Sequence, residues 1–197
     1  MRSDEDLMMD LQTGGEEAFE MLVKRHQVGL LNFFYRLVWS RDLAEDLTQE
    51  VFCKLYMARQ TYEPRAKFTT FLYRVARNRW IDHLRRTRNE RRTMSLDAEL
   101  SDDGGSLRES LAGPAESPSQ ATHRRELLAS IAEAVDSLPE AQKLVFILGE
   151  VKGMKYDEIA DTLEIPIGTV KSRMHGALLH LRERLKSVGP VRREIDR

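Results

Sequence analysis

The 197-residue chain has a single cysteine, Cys53, so no intrachain disulfide can staple it. Its five histidines are scattered, and His175 and His180, five residues apart, fall on different faces of a helix. No spacing typical of a metal site occurs. No apolar run approaches the roughly 20 residues a helix needs to cross a bilayer. The acidic start, MRSDEDLMMD, lacks the continuous apolar core of a secretory signal, so nothing directs export and a cytoplasmic chain is expected. A phosphate-binding glycine loop, a nucleophile elbow and a metal motif are all missing, which leaves the chain without an evident catalytic site, metal or cofactor. Alternating β patterns of useful length and internal repeats are missing too.

Net charge is also nearly absent, at −1. Its distribution is informative. Residues 74–92 hold eight arginines (74, 77, 79, 85, 86, 88, 91 and 92) against Asp82 and Glu90, whereas residues 1–63 hold twelve acids against seven basic residues. Mixed charge describes a solvated surface; segregated charge describes a chain with two kinds of partner.

Composition shifts again over residues 94–123. This stretch contains DDGGS and GPAESPS, six acids and one arginine, with no sustained apolar period. It cannot bury enough surface to offset its ordering entropy and reads as a linker. On both sides the pattern is helical, with Pro and Gly confined to connections. The expected architecture is all-α, with two small helical domains joined by a flexible acidic linker: residues 1–93, 94–123 and 124–197.

The second domain carries a helix-turn-helix pattern. Residues 156–163 (YDEIADTL) make a short amphipathic helix, and Glu164, Ile165 and Pro166 make a turn. From Val170, at about 100° per residue, Met174, Ala177, Leu178, Leu181 and Leu185 share one apolar stripe that must face inward. Ala160 permits close approach early in the first helix and Val170 anchors the second, as two steeply crossing helices require. The second helix therefore begins abruptly after Pro166 because its exposed N-terminal end enters a DNA major groove. Backbone N–H groups and Thr169, Lys171, Ser172 and Arg173 there meet phosphates and base edges.

In the first domain, Leu43, Leu47, Val51 and Leu55 form an i, i+4 apolar ladder, leaving Asp42, Glu45, Asp46, Gln49 and Cys53 on the other side. Cys53 reads as a small, partly buried filler. Further along, Asn78, Arg85, Arg88 and Arg92 project within roughly 40° of Arg74 on an unbroken helix, a stripe able to track a phosphate backbone. Phe68, Phe71, Leu72 and Val75 lie off that line and read as core. Trp80 and Leu84 take another azimuth, where the helix bends or meets a second partner.

Residues 137–140 (SLPE), 156–160 (YDEIA) and 168–173 (GTVKSR) resemble region 4 of bacterial sigma factors, particularly the compact extracytoplasmic function (ECF) group. Residues 42–52 (DLAEDLTQEVF) resemble region 2.2, and residues 68–86 (FTTFLYRVARNRWIDHLRR) resemble regions 2.3 and 2.4. The resemblance spans nearly the whole chain except the linker and the tail beyond Lys186, and two motif sets stand in the expected order.

The resemblance implies a dissociable promoter-specificity subunit with no catalytic chemistry of its own. It implies that Asp46, Gln49 and Glu50 grip the β′ coiled coil of core RNA polymerase, with the β flap as a second polymerase contact. It implies that the loop over residues 60–67 captures an extruded base of the minus-ten element, with Tyr62 stacking and Arg65 and Lys67 holding phosphates. Arg74, Arg77, Asn78, Arg85 and Arg88 then engage minus-ten DNA, and Thr169, Lys171, Ser172 and Arg173 the minus-35 element. Many relatives are held by an anti-sigma factor, and none of these roles requires membrane insertion. For the linker, two readings stand: a segment entering the polymerase cleft, with Asp102 and Asp103 mimicking nucleic-acid charge, or a passive tether. The competing reading of the whole chain is a stand-alone helix-turn-helix transcriptional regulator.

Four positions depart from the family pattern. Glu164 occupies a turn position where Gly is frequent, and a residue forced to positive φ there costs on the order of 1 kcal/mol. Lys155 stands where Ser or Thr often caps the helix, and Gly176 and Leu178 replace basic residues.

Overall fold

The computed structural model describes residues 2–94 and 118–186, with side chains described for 2–90 and 127–186. Every regular element among them is helical. The first body comprises α1 (Asp4–Gln12), α2 (Glu16–Val38), α3 (Arg41–Met57), a 3₁₀ turn (Ala58–Thr61) and α4 (Phe68–Met94). Local chemistry sets the starts of α1 and α3. Ser3 Oγ accepts from Asp6 N at 3.0 Å while the Asp6 carboxylate accepts from Ser3 N at 3.1 Å, a reciprocal cap. Ser40 caps α3 through Leu43 N. The apolar ladder of α3 packs inward as expected: Leu47, Val51 and Leu55 are buried and Leu43 is half-buried, against Phe33, Phe34 and Leu37 of α2. Cys53, by contrast, is exposed. It sits on the face opposite the ladder, so the filler role expected for it does not hold.

The second body comprises α5 (Pro118–Asp136), α6 (Glu140–Phe146), a π turn (Ile147–Val151), α7 (Tyr156–Leu163) and α8 (Ile167–Leu185). Helix α5 begins inside the stretch expected as linker; residues 95–117, which include Asp102 and Asp103, lie outside the described residues. The π turn places Gly149 where a Cβ would come within 2.5 Å of Met174 Cε, so the missing side chain lets α8 close on it. Val170, Met174, Ala177 and Leu181 are buried as the stripe predicts. Leu178, at the stripe's border, is 48% exposed instead.

The two bodies were expected to hang separately on a tether. They are in fact packed together along α4. One buried cluster runs from Leu72 and Tyr73 of α4 into Leu148, Ile159 and Leu163 of the second body. Trp80 is buried, and its Nε1 donates to Glu140 Oε2 at 3.3 Å, which explains why it leaves the arginine azimuth: its partner is α6. At the other end of the seam Trp39, in the left-handed conformation that ends α2 (φ 51°), packs on the small cluster of Ala134, Val135 and Leu138. Desolvated aromatic surface of this kind stabilises a docked arrangement, and the off-line azimuth of Trp80 was its trace in the sequence.

Candidate nucleic-acid and polymerase interfaces

Helix α4 is continuous for 27 residues, so its arginines form a ridge in register. Its two halves differ. Arg85 and Arg88 are exposed. Arg74 and Arg77 are half-covered by α7: Arg74 Nη2 donates to Asp161 O at 3.2 Å, and Arg77 Nη1 lies 3.3 Å from Glu164 Oε2 and 3.0 Å from Asn78 Oδ1. Arg74 Nε is buried without a hydrogen-bond partner, its nearest carboxylate oxygen being Glu164 Oε1 at 3.8 Å. Arg79 points the other way. It is buried and paired with Glu50 of α3, so it is structural and does not belong to the ridge.

The loop before α4 divides similarly. Arg65 is exposed and bonded to Glu63 (Nε to Oε2, 2.6 Å). Lys67 Nζ reaches across the seam to Glu158 Oε1 at 2.5 Å. That bond raises the lysine pKa and lowers that of the glutamate, whose second oxygen also accepts from Lys155 N at 3.0 Å. Glu158 thus supplies half of a capping box that the Lys155 side chain, having no acceptor, cannot complete. Tyr62 does not fit the role expected of it. Only 5% exposed, its ring packs edge-on against Phe71 and Phe68, and the buried hydroxyl is pushed up to about 12, mainly by desolvation. A ring so enclosed belongs to the core and is withdrawn as a base-stacking residue. Phe68 is buried and Phe71 half-buried beside it, in line with the core reading.

On α3, Asp46, Gln49 and Glu50 are all exposed on one side of the helix. Glu50 differs from the other two because Arg79 already holds it.

In the second body, Pro166 is the N-cap of α8 and makes no side-chain cap, so the amides of Ile167 and Gly168 open the helix without one. A Cβ at Gly168 would meet nothing within 4 Å, leaving room for a ligand's backbone to approach. Lys171 and Ser172 are exposed and Thr169 and Arg173 half-buried, all within the first two turns of α8. The preceding turn places Glu164 at φ 54°, ψ 46°, the left-handed conformation anticipated from the glycine-like position. Gly176, in place of a basic residue, lets Gln142 of α6 approach: a Cβ there would lie 3.0 Å from its Nε2.

Sequence reasoning missed the acidic edge of α7 as the partner of these cations, and with it Trp39 and Lys152 at the seam. Lys152 Nζ is 3.4 Å from Gly29 O and 5.1 Å from the Tyr73 ring centroid, and burial lowers its pKa. The signals available were Glu164 standing where glycine is usual and the off-line azimuth of Trp80.

Two helical bodies, one with an arginine ridge and one with a helix-turn-helix, define a DNA-binding protein of transcription. Comparison with known proteins gives the family. The model described as Sigma-70 region 2 matches residues 22–90, and that described as Sigma-70, region 4 matches residues 128–181. The chain is 33% identical to the RNA polymerase sigma-H factor of Pseudomonas aeruginosa over 195 residues, covering 97% of this chain and 96% of that one. It is also 33% identical to the ECF RNA polymerase sigma-E factor of Escherichia coli K12, covering 89% of this chain and 90% of the relative. The fold is similar to that of the sigma factor RpoE of Bartonella quintana, solved in complex with the anti-sigma factor NepR. That match has a TM-score of 0.69 at 24% identity and covers 86% of this chain and 97% of that one. The chain belongs to the ECF group of RNA polymerase sigma factors. As such it is a transcription initiation factor that works with RNA polymerase on promoter DNA. No helix among the described residues is long and apolar enough to cross a membrane.

Proposed function

We propose that this sigma factor divides its work between the two bodies, residues 1–93 and 124–197, with residues 94–123 connecting them. Asp46, Gln49 and Glu50 dock on the β′ coiled coil of core polymerase, and the second body meets the β flap. Arg65, Lys67, Arg74, Arg77, Asn78, Arg85 and Arg88 hold minus-ten DNA as it opens. Thr169, Lys171, Ser172 and Arg173 read the minus-35 element with the amide end of α8 on a phosphate. The chain makes and breaks no covalent bond; the polymerase supplies that chemistry in the cytoplasm. An anti-sigma factor that covers the polymerase-facing surfaces fits the same layout.

The observation that carries this reading is the pairing, in one chain, of a 27-residue helix with an exposed arginine half and an α8 whose amide end carries exposed Lys171 and Ser172. Phosphate contacts from two bodies position a protein at two points on a duplex. The test is reconstitution with core polymerase on a promoter library, followed by start-site mapping and footprinting. Specific initiation with protection at two elements about two helical turns apart supports the reading. Tight specific binding without polymerase, and no initiation with it, would replace it by the stand-alone regulator.

A further inference from the structure

A cavity of about 330 Å³ opens between α2, the first turn of α4 and the loop after the π turn. Gly29 forms part of its wall. It stands in the middle of α2, where glycine is disfavoured relative to alanine. A Cβ there would come within 2.8 Å of Lys152 Nζ and 3.2 Å of Tyr73 Oη. The missing methyl is therefore a notch over which an ammonium from the second body and a phenol from α4 converge.

The charges around the cavity do not cancel. Arg25 is bonded to Asp4 at 2.6 Å, as is His26 at 2.8 Å, and Lys67 is bonded to Glu158 at 2.5 Å. Lys152 has no carboxylate partner among the described residues: its Nζ lies 3.4 Å from Gly29 O and 5.1 Å from the Tyr73 ring centroid. A half-buried ammonium without a counter-ion is costly, and burial lowers its pKa accordingly. Tyr73 is 4% exposed, and its hydroxyl has no hydrogen-bond partner among the described residues. Burial alone raises its pKa, so it stays a donor. Thr69, in the first turn of α4, adds a second hydroxyl to the same wall.

Unfilled donors define what fits here. The ligand must bring negative charge and several acceptor oxygens. An apolar molecule would leave the ammonium unpaired, and a cation would repel it.

We propose that this cavity is a binding site for a small phosphate-type oxyanion, free or carried by a metabolite, held by Lys152, Tyr73 and Thr69 over the Gly29 notch. A volume at the lower end of the range for small-molecule sites limits the ligand to about the size of a sugar phosphate. Charge sets the same limit, because one uncompensated cation suits one phosphate group and not a polyphosphate or a nucleic acid. The site goes beyond the roles proposed above and depends on neither polymerase nor DNA. Lys67 at its rim is the one residue shared with those roles, and Glu158 already holds it.

The experiment titrates the full chain calorimetrically with inorganic phosphate and with ribose 5-phosphate, against sodium chloride at matched ionic strength. At least one of the two phosphates should bind at one site per chain and raise the melting temperature in a way chloride does not. Binding of ribose 5-phosphate alone would make the ligand a metabolite; binding of both would make free phosphate sufficient. Lys152→Met keeps the stem and loses the charge, and should weaken binding about tenfold. Its own melting temperature should not fall, because the ammonium it removes has no counter-ion. Tyr73→Phe keeps the ring on Phe33 and loses only the donor, and should weaken binding about fivefold. Gly29→Ala fills the notch with a residue better suited to a helix, and should weaken binding without lowering helical content. Lys24→Met, at an exposed lysine of the same helix, is the control and should leave binding unchanged. Equal affinity of wild type and Lys152→Met would overturn the site, as would titrations of both phosphates that match chloride. An equal loss in Lys24→Met would reduce the effect to general surface charge and overturn it too.

Discussion

Glu50 of α3 is ion-paired with Arg79 of α4, and the guanidinium is 4% exposed while the carboxylate is 47% exposed. The pair ties the helix assigned to polymerase to the helix assigned to DNA. Removing the acid strands a buried cation, which costs more than the pair itself contributes. Glu50→Ala is therefore expected to destabilise the protein by about 2 kcal/mol, between the values for surface and buried pairs. Arg79→Met, which removes the charge and keeps the stem, should cost less. Thermal melting of the two single variants and the double variant checks this, and equal melting of Glu50→Ala and wild type would show that the pair adds nothing.

Polymerase binding is better tested at the neighbours of Glu50. Asp46 and Gln49 are exposed on the same helix, so changing them does not disturb the Arg79 pair. Asp46→Lys with Gln49→Ala should weaken association with core polymerase at least tenfold, a loss of about 1.4 kcal/mol or more. Helical circular dichroism and melting should stay as in wild type. Unaltered affinity would remove the polymerase role from this face.

The exposed end of the ridge gives a separable prediction. Arg85→Glu with Arg88→Glu should impair open-complex formation more than polymerase binding, because both side chains are exposed on α4 and neither is among the α3 residues assigned to polymerase. Each lost phosphate contact lowers the salt dependence of single-strand binding, so the slope of log affinity against log salt should become shallower by about 1.4. Permanganate footprinting and a salt series check the two halves of the claim. Equal open-complex formation would contradict the assignment.

The sequence made legible whatever depends on one helix at a time. The ladder of Leu47, Val51 and Leu55 and the stripe from Val170 to Leu181 pack inward because period and burial are linked through helix geometry alone. Even there the margin shows: Leu178, some 80° from Val170 on that same geometry, ends up exposed. Loop residues have no period to read, and so Tyr62, which looks like a surface aromatic in QTYEPRAK, proved to be core.

The docking of the bodies was illegible for a different reason. Glu158, Asp161 and Glu164 look like an ordinary solvated face, and only the partner across the seam makes them otherwise. Trp80 carried a hint in its wrong azimuth, and Glu164 in its unfavourable backbone position. A residue that breaks a local rule often answers to a distant contact.

Acid should unfold or loosen the protein in two steps with separate origins. Burial, reinforced by the Arg79 charge, lowers the pKa of His83 below its ordinary 6.5, with Glu90 and Glu50 opposing. The unfolded chain then takes up that proton first, so stability declines as pH falls below about 6.5. The Glu158 pKa is lowered from 4.5, chiefly by the Lys67 hydrogen bond and next by the Lys155 amide. Its contribution is present above that value and is lost as pH falls through the folded pKa. Lys67, raised above 10.5 by the same bond, keeps its charge through the whole range in between, so the pair is steady near neutrality. His83→Gln should flatten the decline in melting temperature that sets in below pH 6.5 and leave the lower step; Glu158→Gln should do the reverse. Melting curves across pH 3.5 to 8 distinguish them, and a single step insensitive to both substitutions would refute the assignment.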